Sequence, residues 1–219
     1  MPQAGAAGRP FIFVLAGVNG AGKSSVGGSM LMEHGLSWFN PDTYARELMV
    51  QLGMDTAKAN GLAWEYGRSR LEAAMAQRKS YAFETTLGGR TIPDMLAKAT
   101  RTHDVMMFFC GLSSPEQHIE RVRLRVATGG HDIPEGKIRE RWTGSRVNLI
   151  KLIPHLARLQ VFDNSTEALP GQDIPDPLLV METINGQIVF PKPEDAMILN
   201  QTPQWARSIV QAAIEISGE

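Results

Sequence analysis

One cysteine, Cys110, in a chain of 219 residues leaves no internal disulfide to form and points to a reducing compartment. It lies in the apolar run VMMFFC, which suits a buried structural thiol better than a nucleophile. No apolar stretch reaches membrane-spanning length. Residues 1–10, MPQAGAAGRP, lack the apolar core of a signal peptide and read as a frayed, disordered end. The net charge of −1 offers no global attraction to nucleic acid or an anionic membrane. No His/Cys spacing marks a zinc site, and the four tryptophans are too scattered to form a base-stacking platform. These absences lead to the expectation of a cytoplasmic protein with neither membrane nor nucleic acid as partner. With 43% hydrophobic and 21% charged residues, the chain suits one well-buried domain.

What is present alternates. FIFVLAG (11–17) is an apolar, β-branched and aromatic run ending in glycine, as expected of a strand buried on both faces. Helical spacing follows over 21–33, and LSWFN (36–40) reads as a second strand closed by Pro41. Two helices are expected over 42–53 and 56–79, the second placing Leu62, Tyr66, Leu71 and Met75 near one face. Strands over 80–86, 104–112 and 159–164 are separated by helices over 92–101, 114–126 and 136–150. Ser114 and Pro115 form a helix start signal. This order predicts an α/β fold with a parallel five-stranded sheet covered by helices. Core residues 11–165 would carry a helical lid near 115–150. A C-terminal appendage, 166–219, would hold a proline-rich linker, a hairpin turning at Asn185-Gly186 and a helix over 203–217.

Gly17-Val18-Asn19-Gly20-Ala21-Gly22-Lys23-Ser24 matches G-x-x-x-x-G-K-[ST] between a buried strand and a helix. Glycines at these positions let backbone N–H groups turn inward around phosphate oxygens. Lys23 reaches the β- and γ-phosphates, and the Ser24 hydroxyl takes a place on Mg²⁺. Residues 17–25, Ser25 included, therefore form an expected ATP·Mg²⁺ site within a P-loop NTPase fold. A GTPase would need N-K-x-D and D-x-x-G, and a motor ATPase a hydrophobic strand ending in Asp-Glu; all three are missing. A small-molecule kinase remains. It needs a group to receive the acceptor's proton and cations to neutralise the phosphoryl group in transfer.

Asp42, in Asn40-Pro41-Asp42, stands at the carboxyl edge of the sheet, either as catalytic base or as the cap of the next helix. Glu84 ends an apolar strand, where a carboxylate is costly unless used or paired, and Thr85 and Thr86 add hydroxyls for the acceptor. Arg121, Arg123 and Arg125 precede the loop ATGGHDIPE, and Arg139, Arg141 and Arg146 follow it. Two basic helices around a glycine-containing hinge suit a phosphate-closing lid. Arg125 and Arg141, one on each side, are the leading phosphate ligands, and His131 and Asp132 are expected to shape the loop.

Together AGVNGAGKSS, NPD (40–42), FETTLGG (83–89), the segment 108–142 and VFDNS (161–165) resemble the zeta-toxin family, in particular its short bacterial branch. The resemblance implies a P-loop kinase that phosphorylates the 3′-hydroxyl of the sugar in UDP-N-acetylglucosamine, and a toxin held by an antitoxin protein. It implies that Lys23 binds phosphate, that Asp42 is the base, and that Glu84 with its threonines orients the acceptor. Arg125 and Arg141 would contact the γ-phosphate, with Arg139 as the alternative to Arg141, and Asn164 would lie near the adenine. FETTLGG departs from the family's E-G-T-L/M-R form, and no antitoxin domain is present in this sequence. Two other readings stay open: a kinase for another hydroxylated metabolite (a nucleoside, sugar or antibiotic), and a nucleotide-binding regulatory module.

Overall fold

The computed structural model describes residues 8–33, 37–130, 132–167 and 175–218. Six strands form one sheet: β1 (Phe11–Ala16), β2 (Tyr81–Thr85), β3 (Asp104–Gly111), β4 (Arg158–Asp163), β5 (Leu178–Ile184) and β6 (Gln187–Phe190), in the order β2-β1-β3-β4-β5-β6. The first four are parallel, and β5 and β6 run antiparallel. Eight α-helices accompany them among the described residues: α1 (Lys23–Glu33), α2 (Pro41–Leu52), α3 (Thr56–Gln77), α4 (Thr91–Ala99), α5 (Pro115–Ala127), α6 (Glu135–Leu152), α7 (Ala196–Asn200) and α8 (Arg207–Ser217). None is long and apolar enough to cross a membrane.

The mainly parallel α/β sheet agrees with the alternation in the sequence, but its fifth and sixth strands come from an unexpected place. Of the stretch expected as a strand over 36–40, the described residues 37–40 supply one isolated bridge, and Leu36 lies outside the described residues. Phe39 bonds the β2 edge through Phe39 N to Ala82 O and Glu84 N to Phe39 O, both 2.9 Å. Asn40 then caps α2 and Pro41 opens it, so the chain leaves the sheet at once. The expected hairpin instead extends the sheet along β4. Asn185 and Gly186 both have positive φ, 50° and 78°, the pair of left-handed residues that a tight hairpin turn requires. The frayed end expected over 1–10 lies, for residues 1–7, outside the described residues. Arg9 is tied by an ion pair to Asp104 at 3.1 Å, and Pro10 O accepts from Asp104 N.

Apolar faces from both layers close the core. Leu71, Leu96, Leu149 and Ile209 bring α3, α4, α6 and α8 against strand residues such as Phe109 and Val161. The face expected for α3 holds in part: Leu71 is buried and Met75 packs on the core, but Leu62 and Tyr66 are exposed, and Ala59, Ala63, Gly67 and Ala74 complete the buried face. Small residues win here because Phe39 lies against this helix; a Cβ on Gly67 would stand 2.6 Å from its ring. Cys110 is fully buried, and burial pushes its thiol up to about 12, as befits a structural residue.

His118 of α5 is the buried polar group that ties this core to the loop after β1. Its Nδ1 donates to the Asn19 carbonyl at 2.9 Å, which fixes the neutral tautomer. Burial pulls its pKa from 6.5 to about 4, against the upward pull of that hydrogen bond.

Truncating Ile209 tests whether the C-terminal helix is integral. Ile209→Ala is expected to cost about 2–5 kcal/mol in urea unfolding, the range for a buried aliphatic. The His118 contribution is fully present above pH 6.5 and is lost as pH falls toward 4, because the unfolded state takes up the proton first. His118→Asn keeps a donor for the Asn19 carbonyl. It should remove about 3 kcal/mol of the acid-dependent decline in unfolding free energy.

Candidate active site

The loop between β1 and α1 wraps tightly because its neighbours leave no room for side chains. Gly17 has φ 139°, and a Cβ there would overlap the Cys110 carbonyl oxygen of β3. Gly22, φ 86°, faces Asn164, whose Nδ2 lies 2.5 Å from the position of a Cβ and donates to the Ala21 carbonyl at 3.0 Å. Gly20 passes under α5, close to the His118 carbonyl. Val18 and Ala21 point into the protein. Lys23 begins α1 and folds back over the loop, its Nζ 3.4 Å from the Val18 carbonyl. Ser24 and Ser25 follow on the exposed first turn. The N-terminus of α1 and the Lys23 ammonium thus stand together at the glycine-rich turn, a cradle suited to phosphate oxygens.

Beside this cradle the ends of β1 and β2 bring a hydroxyl to a carboxylate. Leu15 pairs with Glu84 in the parallel register, and Ser24 Oγ donates to Glu84 Oε1 at 2.7 Å. Glu84 is buried. Asn40 Nδ2 donates to the same Ser24 Oγ at 3.3 Å, while Asn40 Oδ1 accepts from the backbone N–H groups of Asp42 and Thr43. Asn40 is therefore the cap of α2. The alternative left open by the sequence, Asp42 as cap, does not hold. Asp42 sits at the second helical position with its carboxylate 3.9 Å from Arg125 Nη1.

Helices α5 and α6 flank the loop where a lid is expected, and their arginines divide into two groups. Arg141 reaches the phosphate-binding loop itself, donating from Nη1 to Asn19 Oδ1 at 2.7 Å. Burial pulls its guanidinium below the usual range, opposed by the Asp42 and Glu140 carboxylates. Arg125 meets Asp42 from α5. Arg139 points elsewhere, to Glu116 at 2.6 Å on the outer side of the lid, away from the loop. Arg123 pairs with Glu135, and Arg146 stacks on Trp142 at 3.5 Å. Asp132 accepts from the Ile133 N–H at 2.8 Å and so shapes its loop, whereas His131 lies outside the described residues.

Gly88 of FETTLGG packs against α6. A Cβ on Gly88 would stand 2.8 Å from Arg141 Cγ, and Asn148 Nδ2 donates to the Leu87 and Gly89 carbonyls, both at 2.8 Å. This close packing seats α6 so that Arg141 overhangs the cradle. Thr85 Oγ1 accepts from the Leu87 N–H at 3.1 Å, and Thr86 faces the open side.

A cleft of about 480 Å³ runs from Asn19 and Lys23 past Asp42, Glu84, Thr85, Thr86 and Arg141. Trp64, Arg90 and Lys137 are also part of its lining. Seven of the residues singled out in the sequence thus share one space. Gly17, Gly20, Ala21, Gly22, Ser24, Ser25, Arg125, Arg139 and Asn164 do not line it; Asn164 holds the loop through the Ala21 carbonyl, and Arg125 reaches the site only through Asp42. Sequence reasoning missed His118, Asn40 and Trp64. Pro41 at the first helical position was the available signal for Asn40, since the cap must then precede it. His118 and Trp64 carry no local signal. Their neighbours come from distant parts of the chain.

Neither a family model nor a curated protein matches this chain. Solved structures do. AvrRxo1-ORF1:-ORF2 with ATP aligns at TM-score 0.64 and 18% identity, over 90% of this chain and 65% of that one. This chain therefore spans just under two thirds of that relative's length. A structure of the PezAT chromosomal toxin–antitoxin system of Streptococcus pneumoniae aligns at 0.54 and 15% identity, over 100% of this chain and 90% of that one. A chain of the Pnkp1/Rnl/Hen1 RNA repair complex aligns at 0.50 and 19% identity, over 69% and 49%. At such identities the likeness concerns the fold, and together with the cradle after β1 it shows that this chain has the P-loop NTPase fold.

Proposed function

We propose that the chain is an ATP-dependent kinase of the zeta-toxin type, which transfers the γ-phosphoryl group to a hydroxyl of a small acceptor. The observation that carries this reading is Asp42, freed from capping by Asn40 and placed in the same cleft as Lys23 and Arg141. A nucleotide-binding module needs the cradle alone. A transferase also needs room for an acceptor beside the terminal phosphate and a base in that room, and the cleft supplies both. The AvrRxo1-ORF1:-ORF2 structure with ATP supports the nucleotide.

In this reading the loop N–H groups of 17–25 and Lys23 bind the donor phosphates. Asp42 accepts the acceptor hydroxyl proton as its oxygen bonds to the γ-phosphorus and the bond to the β-phosphate oxygen breaks, releasing ADP. Arg125 and Arg141 neutralise the charge on the group in transit. The pair Asp42–Arg125, 3.9 Å apart, then keeps the base and a cation together beside the group in transit. Glu84 and the two threonines orient the acceptor. Among the described residues no cluster of three His, Cys, Asp or Glu could alone hold a metal ion, so Ser24 and the adjoining Glu84 suit a Mg²⁺ that depends on phosphate oxygens for its other ligands. Bound there, Mg²⁺ would supply charge neutralisation at the phosphates.

The acceptor in this reading is a nucleotide sugar such as UDP-N-acetylglucosamine, a class that the cleft lining supports. Trp64 offers a ring face, and Arg90 and Lys137 offer cations for a diphosphate. One observation favours another hydroxylated metabolite: Gly88 of FETTLGG is spent on seating α6, which leaves fewer side chains to read an acceptor. The likeness to a toxin–antitoxin structure supports a protein partner that restrains the kinase.

Mass spectrometry of UDP-N-acetylglucosamine, free sugars and nucleosides incubated with protein and ATP·Mg²⁺ is expected to show a phosphorylated product. ADP and free phosphate alone would remove the kinase reading. Asp42→Ala should lower transfer by about 10²–10⁴-fold, the usual scale for a general base, while ATP still binds. Unchanged transfer in that variant would show that the proton goes elsewhere. Lys23→Ala should weaken ATP binding itself.

A further inference from the structure

The C-terminal segment carries no motif, yet it places a deeply buried aromatic residue next to the brace of the phosphate loop. Trp205, 4% exposed, lies in a 3₁₀ turn (Gln204–Ala206) just before α8. Its ring covers Gly111 at the end of β3, where a Cβ would overlap the indole, and tilts against Phe109 at 6.3 Å. Its Nε1 donates to Asp163 Oδ1 at 2.9 Å, and the same oxygen accepts from Ser165 Oγ. Asp163 is the last residue of β4 and precedes Asn164.

Asn164 is held from three directions. Its N–H donates to the Gly111 carbonyl at 3.0 Å, its Nδ2 donates to the Ala21 carbonyl at 3.0 Å, and its own carbonyl accepts from Arg121 at 2.8 Å. The first of these partners is the residue under the Trp205 ring, and the second belongs to the phosphate loop. Trp205 also accepts, through its carbonyl, from Arg146 of the lid helix α6 at 3.5 Å.

We propose that Trp205 is a positioning residue for the nucleotide: acting through Asp163 it fixes Asn164, and through Asn164 the floor of the phosphate loop. This rests on the nucleotide reading of that loop, and it gives the C-terminal segment a part in the site that it does not line. A ring that merely filled the core would be served by any aromatic. A positioning role depends on the indole N–H and on the carboxylate that receives it.

Calorimetric titration of the full chain with ATP separates the two. Trp205→Phe keeps most of the ring and removes the donor, and is expected to weaken ATP binding about three- to tenfold, the scale of one hydrogen bond to a charged group felt through a neighbour. Asp163→Ala should do the same, Asp163→Asn should restore most of the affinity because its amide oxygen still accepts, and the double variant Trp205→Phe/Asp163→Ala should be no weaker than either single one. A filler role would change the fraction of protein that binds, with the dissociation constant unmoved. Wild-type affinity in Trp205→Phe, or equal losses in Asp163→Ala and Asp163→Asn, would overturn the inference. Should Trp205→Phe fail to fold, the two Asp163 variants decide alone. Wild-type protein that binds no ATP would instead overturn the nucleotide reading of the loop.

Discussion

Contact without clearance between the loop after β1 and the end of β3 is the constraint on which the rest depends. Gly17 lies so close to the Cys110 carbonyl that no side chain fits between them. The loop therefore lies flat on the carboxyl edge of the sheet, where Gly17 N donates to the Thr85 carbonyl and Ala21 N to the Val18 carbonyl. Every other feature of the site is built over that seat. His118 holds the loop from one side and Asn164 from the other, and Arg141 crosses above it.

The groups that hold the loop differ in kind from those that face the cleft. A neutral imidazole, an amide and a thiol bond the carbonyls of Asn19 and Ala21, and none brings a net charge to the buried side. Charges stand on the open side, where Lys23, Asp42, Glu84 and Arg141 share one space. The separation has a physical reason. Burying an unpaired charge under the loop would cost far more than a buried dipole with a partner. A strong field on the open side, by contrast, is what a phosphoryl group in transit requires.

Much of this was readable from short-range patterns. The apolar run before the glycine-rich loop located β1, the Asn-Gly pair located the hairpin, and Gly-x-x-x-x-Gly-Lys-Ser located the cradle. These signals act within a few residues, so the sequence displays them whole. What escaped depends on packing between distant segments. Over 37–40 the expected strand gave way to a helix start just beyond its isolated bridge. The hairpin joined the main sheet because β4 offered an unpaired edge, which no local pattern in 178–190 reveals. The face of α3 was misread in part, since Leu62 and Tyr66 have the right period, yet Phe39 admits only small residues against that helix. Among the arginines, charge density marked α5 and α6 as the basic helices beside the loop. Which of them turned inward was decided by Glu116 and Glu135, which hold Arg139 and Arg123 on the outside.

The central place of β1 also bears on the order in which the molecule takes shape during synthesis. Leu15 pairs with Glu84 on one side and Phe108 on the other, so the earliest strand to emerge has no neighbour until two later stretches arrive. The Gly17 seat waits for β3, the Asn164 brace for β4, and the indole over Gly111 for nearly the last turn of chain. Such long-range closure slows folding relative to a protein of local contacts. It also means that a nascent chain holds a glycine-rich loop with nothing to shape it. The loop after β1 is fully braced only when β3, Asn164 and Trp205, all far later in sequence, have met at the same sheet edge.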